Sequence, residues 1–128
     1  MLPDRLLDTE ELARKGAFAL DSPEALKVLD RTATFDPTFV FGFNELRGRD
    51  LYNMALVAHK GHVLGTYSKC SAYQPFHKQG REFPVFERGG VKFGVIICSD
   101  GGYVKPCRIL ALKGARVIFA RHFNYIGK

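Results

Sequence analysis

Apolar positions along this 128-residue chain switch between a helical spacing and an alternating or continuous one, and the switches mark its elements. Residues 6–15 carry a weak helical pattern closed by Gly16. Ser22-Pro23-Glu24 offers a capping side chain, a proline for the first helical position and an acid for the first turn. Ala25, Leu26, Val28 and Leu29 then supply one apolar face, which predicts a helix to about Arg31. Asp36-Pro37 marks a turn. Residues 38–43, Thr-Phe-Val-Phe-Gly-Phe, read as a buried strand of β-branched and aromatic side chains. Two apolar runs, 51–58 and 62–67, flank Lys60-Gly61 and predict a β-hairpin. Residues 68–81 are polar and read as a loop. Residues 83–87 and 91–98 flank Gly89-Gly90, a second hairpin signal. Residues 106–113 predict a short helix ended by Gly114, and 115–120 a last strand. Hairpins combined with at least one β-α-β crossover predict an α/β fold with a mixed sheet. No linker or repeat divides the chain, so a single domain is expected.

Composition narrows the class. The chain is 46% hydrophobic and 25% charged, with no run long enough for a membrane span. No basic segment followed by an apolar one opens the chain, so no secretory signal is read. Three cysteines, in neither CxxC nor zinc spacing, predict reduced thiols and a cytoplasmic setting. The net charge of +6 comes from scattered residues, which suits a solvated mixed surface. No nucleic-acid-binding pattern is present, and the aromatics fall on predicted core strands, so no nucleic-acid partner is expected. His59, His62, His77 and His122 lack metal-ligand spacing, and Gly101-Gly102 is not a phosphate loop, so neither metal nor cofactor is expected.

One stretch carries chemistry. In Val91-Lys-Phe-Gly-Val-Ile-Ile-Cys-Ser-Asp100 an apolar run ends abruptly at Cys98, followed by small and turn-forming residues and then a helical pattern. A thiol is thereby set at the C-terminal tip of a strand, the edge where open α/β sheets gather their chemistry. The positive end of a following helix would lower its pKa, and backbone N–H groups of Ser99-Asp100-Gly101-Gly102 could stabilise an oxyanion. The plainer reading is a small buried hydrophobe, which free cysteine often is. Lys69, just past a predicted strand in Gly-Thr-Tyr-Ser-Lys69, is by itself a solvated loop charge; beside a thiolate it would stabilise that anion and a tetrahedral intermediate. Cys70 and Cys107 read as structural, His59 and His62 as exposed. Tyr103 reads equally as pocket lining or as aromatic packing.

Gly-Thr-Tyr-Ser-Lys69, the stretch around Cys98 and Arg108-Ile-Leu-Ala-Leu-Lys-Gly-Ala-Arg-Val-Ile-Phe119 together resemble the nitrilase, or carbon-nitrogen hydrolase, superfamily. Glu82-Phe-Pro-Val-Phe-Glu87 and Gly42-Phe-Asn-Glu45 with Leu51-Tyr-Asn-Met-Ala55 extend the likeness, which covers about residues 23–123. The resemblance implies an α-β-β-α sandwich with mixed sheets, of which residues 1–128 would form a single partial domain. It implies cysteine attack on a small nitrile, amide or N-carbamoyl substrate, and a tendency to self-associate. The family works with a Glu-Lys-Cys set, and Cys98 and Lys69 match two of its members. The base glutamate belongs upstream of the segment resembling Leu2-Pro-Asp-Arg-Leu6 and is expected to be missing from this chain. Glu45 matches a different family position and is not taken as the base. The loop between Lys69 and Gly80 is short and lacks the family's supporting glutamate, since Glu82 and Glu87 read as surface charges. Lys105 stands where the family has a glutamate, and the family's later strands have no counterpart after residue 121. The alternative expectation is a catalytically incompetent remnant that serves as a binding or assembly domain.

Overall fold

Left-handed turns fold the middle of the chain into a first sheet in this computed structural model, which describes residues 9–122. Strands β1 (Thr38–Arg47), β2 (Asp50–His59) and β3 (His62–Ser68) pair antiparallel in chain order. Lys60 and Gly61 have φ of 46° and 78°, the two left-handed positions of a primed hairpin turn. Two helices precede the sheet. In α1 (Glu10–Lys15) the Thr9 hydroxyl accepts from Leu12 N, and in α2 (Pro23–Thr32) the Ser22 hydroxyl accepts from Ala25 N. The proline falls at the start of α2, as the sequence predicts.

The second sheet is built around β5 (Val91–Ile97), flanked by β4 (Phe86–Arg88) and β6 (Val117–Arg121). β4 is antiparallel to β5 across Gly89-Gly90, both at positive φ. β6 is parallel to β5 and reached through α3 (Val104–Leu112), so this sheet is mixed while the first is antiparallel throughout.

The strand period of two sorts the side chains into layers. On one face of the first sheet Leu56 and Ala58 pack with Leu29 of α2 and with Phe41 and Phe43. On the other, Val40, Ala55, Val57 and Tyr67 meet Phe86, Phe93, Val95 and Ile97 of the second sheet. α3 closes the far side, where a Cβ on Gly94 would lie 2.7 Å from Leu110. The order is helix, sheet, sheet, helix, the expected α-β-β-α sandwich.

Several elements differ from the sequence pattern in extent. β1 runs on to Arg47 and is half-buried rather than buried, because it is an edge strand. Phe83, Pro84 and Val85 stay outside the ladder, where proline has no N–H to contribute, and β4 keeps three residues. α3 starts two residues before Pro106, since a missing N–H costs nothing anywhere in the first turn. β6 is mostly exposed at the sheet edge. Residues 6–8 of the first helical segment lie outside the described residues. Among the described residues no helix is long and apolar enough to cross a membrane.

Candidate active site

β5 delivers Cys98 into a sharp turn. Ile97 is extended at φ −123°, and Cys98 swings to φ 47°, a left-handed conformation that costs a non-glycine residue about 1–3 kcal/mol. A 3-10 turn, Cys98–Gly102, follows, and α3 begins only at Val104. The expected order of strand, sharp turn and helix is present, with Gly101-Gly102 inside the turn before helical geometry sets in.

Asp100 holds this elbow. Its side chain is completely buried and accepts from three donors: Tyr67 Oη at 2.7 Å, Ile97 N at 3.0 Å and Ser71 N at 2.8 Å. Burial and the Asp100 contact push the Tyr67 phenol far up, so it remains a donor. Ser99 Oγ adds a hydrogen bond to the Ser71 carbonyl at 2.9 Å. The turn bearing Cys98 is therefore tied twice to the segment that follows Lys69. The sequence pattern alone assigns Asp100 no role beyond the turn. Its signal was the position, three residues after the last strand residue, where a carboxylate reaches back to a free N–H as in a helix cap.

Lys69 is only 5% exposed, although it lies in a loop. Its N–H donates to the Asn53 carbonyl at 2.8 Å, and its carbonyl accepts from Gly80 N at 2.8 Å. The loop of residues 69–80 thus returns to its origin. It can do so because residue 80 is glycine: a Cβ there would overlap the Ser68 carbonyl. Register sets Asn44 opposite Asn53, and Asn53 beside Lys69, on the face that looks at the second sheet. Lys69 and Cys98 line one cleft of about 600 Å³, together with Asn53, His77, Ser99 and Arg121. His77 Nε2 lies 2.9 Å from Asn44 Oδ1, and with that oxygen as acceptor Nε2 carries the proton. Burial, then the Lys69 charge, hold its pKa below the ordinary histidine value, so the ring is neutral at pH 7.

Glu45 is equally buried at 5% exposure but belongs to the other face of the first sheet. It lies opposite Tyr52 and binds Arg47 at 2.6 Å, and Arg47 in turn stacks on the Tyr52 ring and donates to Ser68 Oγ. Among the described residues no carboxylate lines the cleft with Cys98. Glu82 and Glu87 are exposed, as is Lys105. Tyr103 is 59% exposed and does not line the cleft with Cys98; it lines a separate pocket with Cys70, Phe83 and Pro106. Burial raises the Cys70 pKa, and Cys107 is half-buried on α3. His62 is exposed. His59, expected in solvent, is half-buried, and its Nε2 faces Arg88 of β4 in the other sheet at 2.7 Å. No group of residues that could hold a metal ion occurs among those described.

Known proteins resemble this chain in sequence and in fold. The sequence profile of the carbon-nitrogen hydrolase family matches residues 3–127, a wider span than the motifs alone suggest. A probable nitrilase of Schizosaccharomyces pombe is 28% identical over 105 residues, covering 77% of this chain and 39% of that protein. A nitrilase of Pyrococcus abyssi is 39% identical over 83 residues, 62% of this chain and 32% of that protein. The fold matches that of Saccharomyces cerevisiae Nit3, a nitrilase-superfamily member, with a TM-score of 0.80 at 19% identity, over 92% of this chain and 48% of that one. The chain thus spans 32–39% of the length of these two relatives. With its profile matched nearly end to end and its layers in the same order, the chain belongs to the carbon-nitrogen hydrolase family.

Proposed function

We propose that Cys98 is the nucleophile and Lys69 its cationic support in the hydrolysis of a small non-peptide C–N compound. The sulfur forms a bond to the amide carbon, and the carbonyl electron pair moves onto oxygen. The ammonium of Lys69 and the N–H groups of the turn face the negative charge that develops. The tetrahedral adduct collapses, the C–N bond breaks, and ammonia leaves with the proton taken from the thiol. Water then attacks the thioester, the C–S bond breaks, and acid and thiol are released. A nitrile would enter the same path as a thioimidate, and an N-carbamoyl compound as a carbamoyl thioester. The proton acceptor in this reading is a carboxylate outside residues 9–122, because Glu45 faces away and the described cleft lining offers none.

The observation that carries the reading is the left-handed backbone of Cys98 in a cleft shared with a buried lysine that no described carboxylate neutralises. A core cysteine needs no strained turn, and a surface lysine needs no burial. Ammonia release from matched amide, nitrile and N-carbamoyl panels tests it. Cys98→Ala should abolish turnover, and Lys69→Met should lower kcat by roughly 10²–10³-fold, the range for loss of one oxyanion-type contact. Turnover that survives in Cys98→Ala would overturn the assignment.

A further inference from the structure

We infer that His77, with its proton held by Asn44, is a further substrate-contacting residue that accepts an N–H of the scissile group, so that the cleft takes a primary amide in preference to a nitrile. The inference rests on the reading of Cys98 as nucleophile and chooses among the substrates which that reading leaves open.

Three contacts fix the imidazole before a substrate arrives. The backbone is pinned to the start of β2: Leu51 and His77 form a parallel bridge, and Lys78 N donates to the Leu51 carbonyl at 2.8 Å. The Phe76 ring lies against the imidazole, with centroids 4.7 Å apart. Nε2 lies 2.9 Å from Asn44 Oδ1 on β1. In a neutral imidazole one nitrogen donates and the other accepts, so a proton held on Nε2 by Asn44 makes Nδ1 the acceptor. Burial and the Lys69 charge keep the ring neutral at pH 7, which preserves that lone pair. No described hydrogen bond uses His77 Nδ1. Among the described residues the one sealed-off side-chain polar atom without a partner is elsewhere, Nδ1 of His59, so Nδ1 of His77 is open to the space around it.

That space includes the cleft of Lys69 and Cys98, which His77 lines. The Lys69 charge is felt at the ring, yet no described hydrogen bond joins the two side chains. The cleft therefore sets a cation and a fixed neutral acceptor apart, with room between them. A carboxamide fits such a pair. Its oxygen accepts from the ammonium, and its NH₂, on the same carbon, donates to the lone pair. No proton moves in this contact; it turns the amide so that its carbon meets the sulfur. A nitrile carries no N–H. With its nitrogen toward Lys69 it leaves Nδ1 unanswered, and with its nitrogen toward His77 it sets lone pair against lone pair. A site that hydrogen-bonds a substrate N–H rejects the analogue lacking it, because the site's own polar group is then left unpaired.

Butanamide and butanenitrile, which share their carbon chain, test the inference on the purified protein. His77→Leu should lower kcat/KM for butanamide by about tenfold to hundredfold, the value of one hydrogen bond whose partner is left unpaired, and should change butanenitrile by less than about threefold. Asn44→Leu, which lets the ring proton sit on either nitrogen, should lose part of the amide preference. Equal losses on both substrates in His77→Leu overturn the inference, while Cys98→Ala decides the nucleophile separately. A binding readout needs neither turnover nor a His77 variant. In nitrogen NMR spectra of histidine-labelled Cys98→Ala protein, the bare Nδ1 of His77 should shift when butanamide is added and stay in place with butanenitrile. A resonance that butanamide leaves unmoved, or that both compounds move alike, refutes the acceptor role.

Discussion

Replacing the Asp100 carboxylate by the isosteric amide in Asp100→Asn should loosen the elbow without changing its volume. The carboxylate accepts from Tyr67 and Ile97 on Oδ2 and from Ser71 on Oδ1. An asparagine has one acceptor oxygen. If that oxygen takes the Oδ2 position, the NH₂ group faces the Ser71 N–H and leaves that donor unpaired, at about 1–3 kcal/mol. The two surviving bonds lose their charge assistance, at about half their strength each. If the amide is turned round, the Ile97 N–H is orphaned and only the Tyr67 hydroxyl can rotate to compensate. Either way the total is about 2–5 kcal/mol. At roughly 4 °C per kcal/mol for a domain of this size, Tm should fall by about 8–20 °C in a circular dichroism melt. Tyr67→Phe removes one donor and should cost about 1.5–3 kcal/mol, and the double variant should fall short of the sum, because both act on one network. An Asp100→Asn protein that melts within about 2 °C of wild type, with additive behaviour alongside Tyr67→Phe, would show that the buried carboxylate does not hold the turn.

Limited iodoacetamide labelling near neutral pH, read by peptide mapping, should modify Cys98 before Cys70, whose pKa burial raises, and before Cys107 on α3. Equal labelling of the three thiols would remove the case for a distinct nucleophile. His77 titrates below the ordinary value of 6.5 in the fold, so the unfolded chain binds its proton first as pH falls. Its contribution to stability is complete above about pH 6.5 and is lost as pH drops through the lower folded pKa; urea midpoints from pH 7.5 to 5 should fall less steeply in His77→Gln. Gly80→Ala would drive a methyl into the Ser68 carbonyl, so it should displace the loop that returns to Lys69 and lower Tm by several degrees.

The strands and turns were legible because their signals are local. Lys60-Gly61 and Gly89-Gly90 each announce a hairpin by two residues that tolerate positive φ, and the structure has both. Ser22-Pro23 announces α2 in the same way. Extents were less legible, since β1 is prolonged to Arg47 by pairing with β2, which no window on β1 contains. Cys98 and Lys69 stood out because each ends a strand with a motif around it, and both line the one cleft.

What local pattern could not show is the set of contacts that brings those two residues to one cleft. Asp100 meets Tyr67 from 33 positions away, and His77 meets Asn44 across the same separation. The place of Arg121 depends on Gly42, in a strand of the other sheet. For Asp100 and Arg121 the partner is chosen by the stacking of two sheets about 10 Å apart, and for His77 by the return of the 69–80 loop onto the first sheet, neither of which chain order encodes. Glu45 shows the reverse. It is a buried acid in a family motif, close in sequence to Asn44, and one step along a strand puts it on the face away from the cleft. A shift of one residue in the pairing of β1 with β2 would exchange the two, bringing Glu45 toward Lys69 and sending Asn44 outward. The register is fixed by the Gly48 turn and by Phe41 and Phe43 against α2, so the apolar face that holds the sandwich together also keeps this carboxylate out of the site.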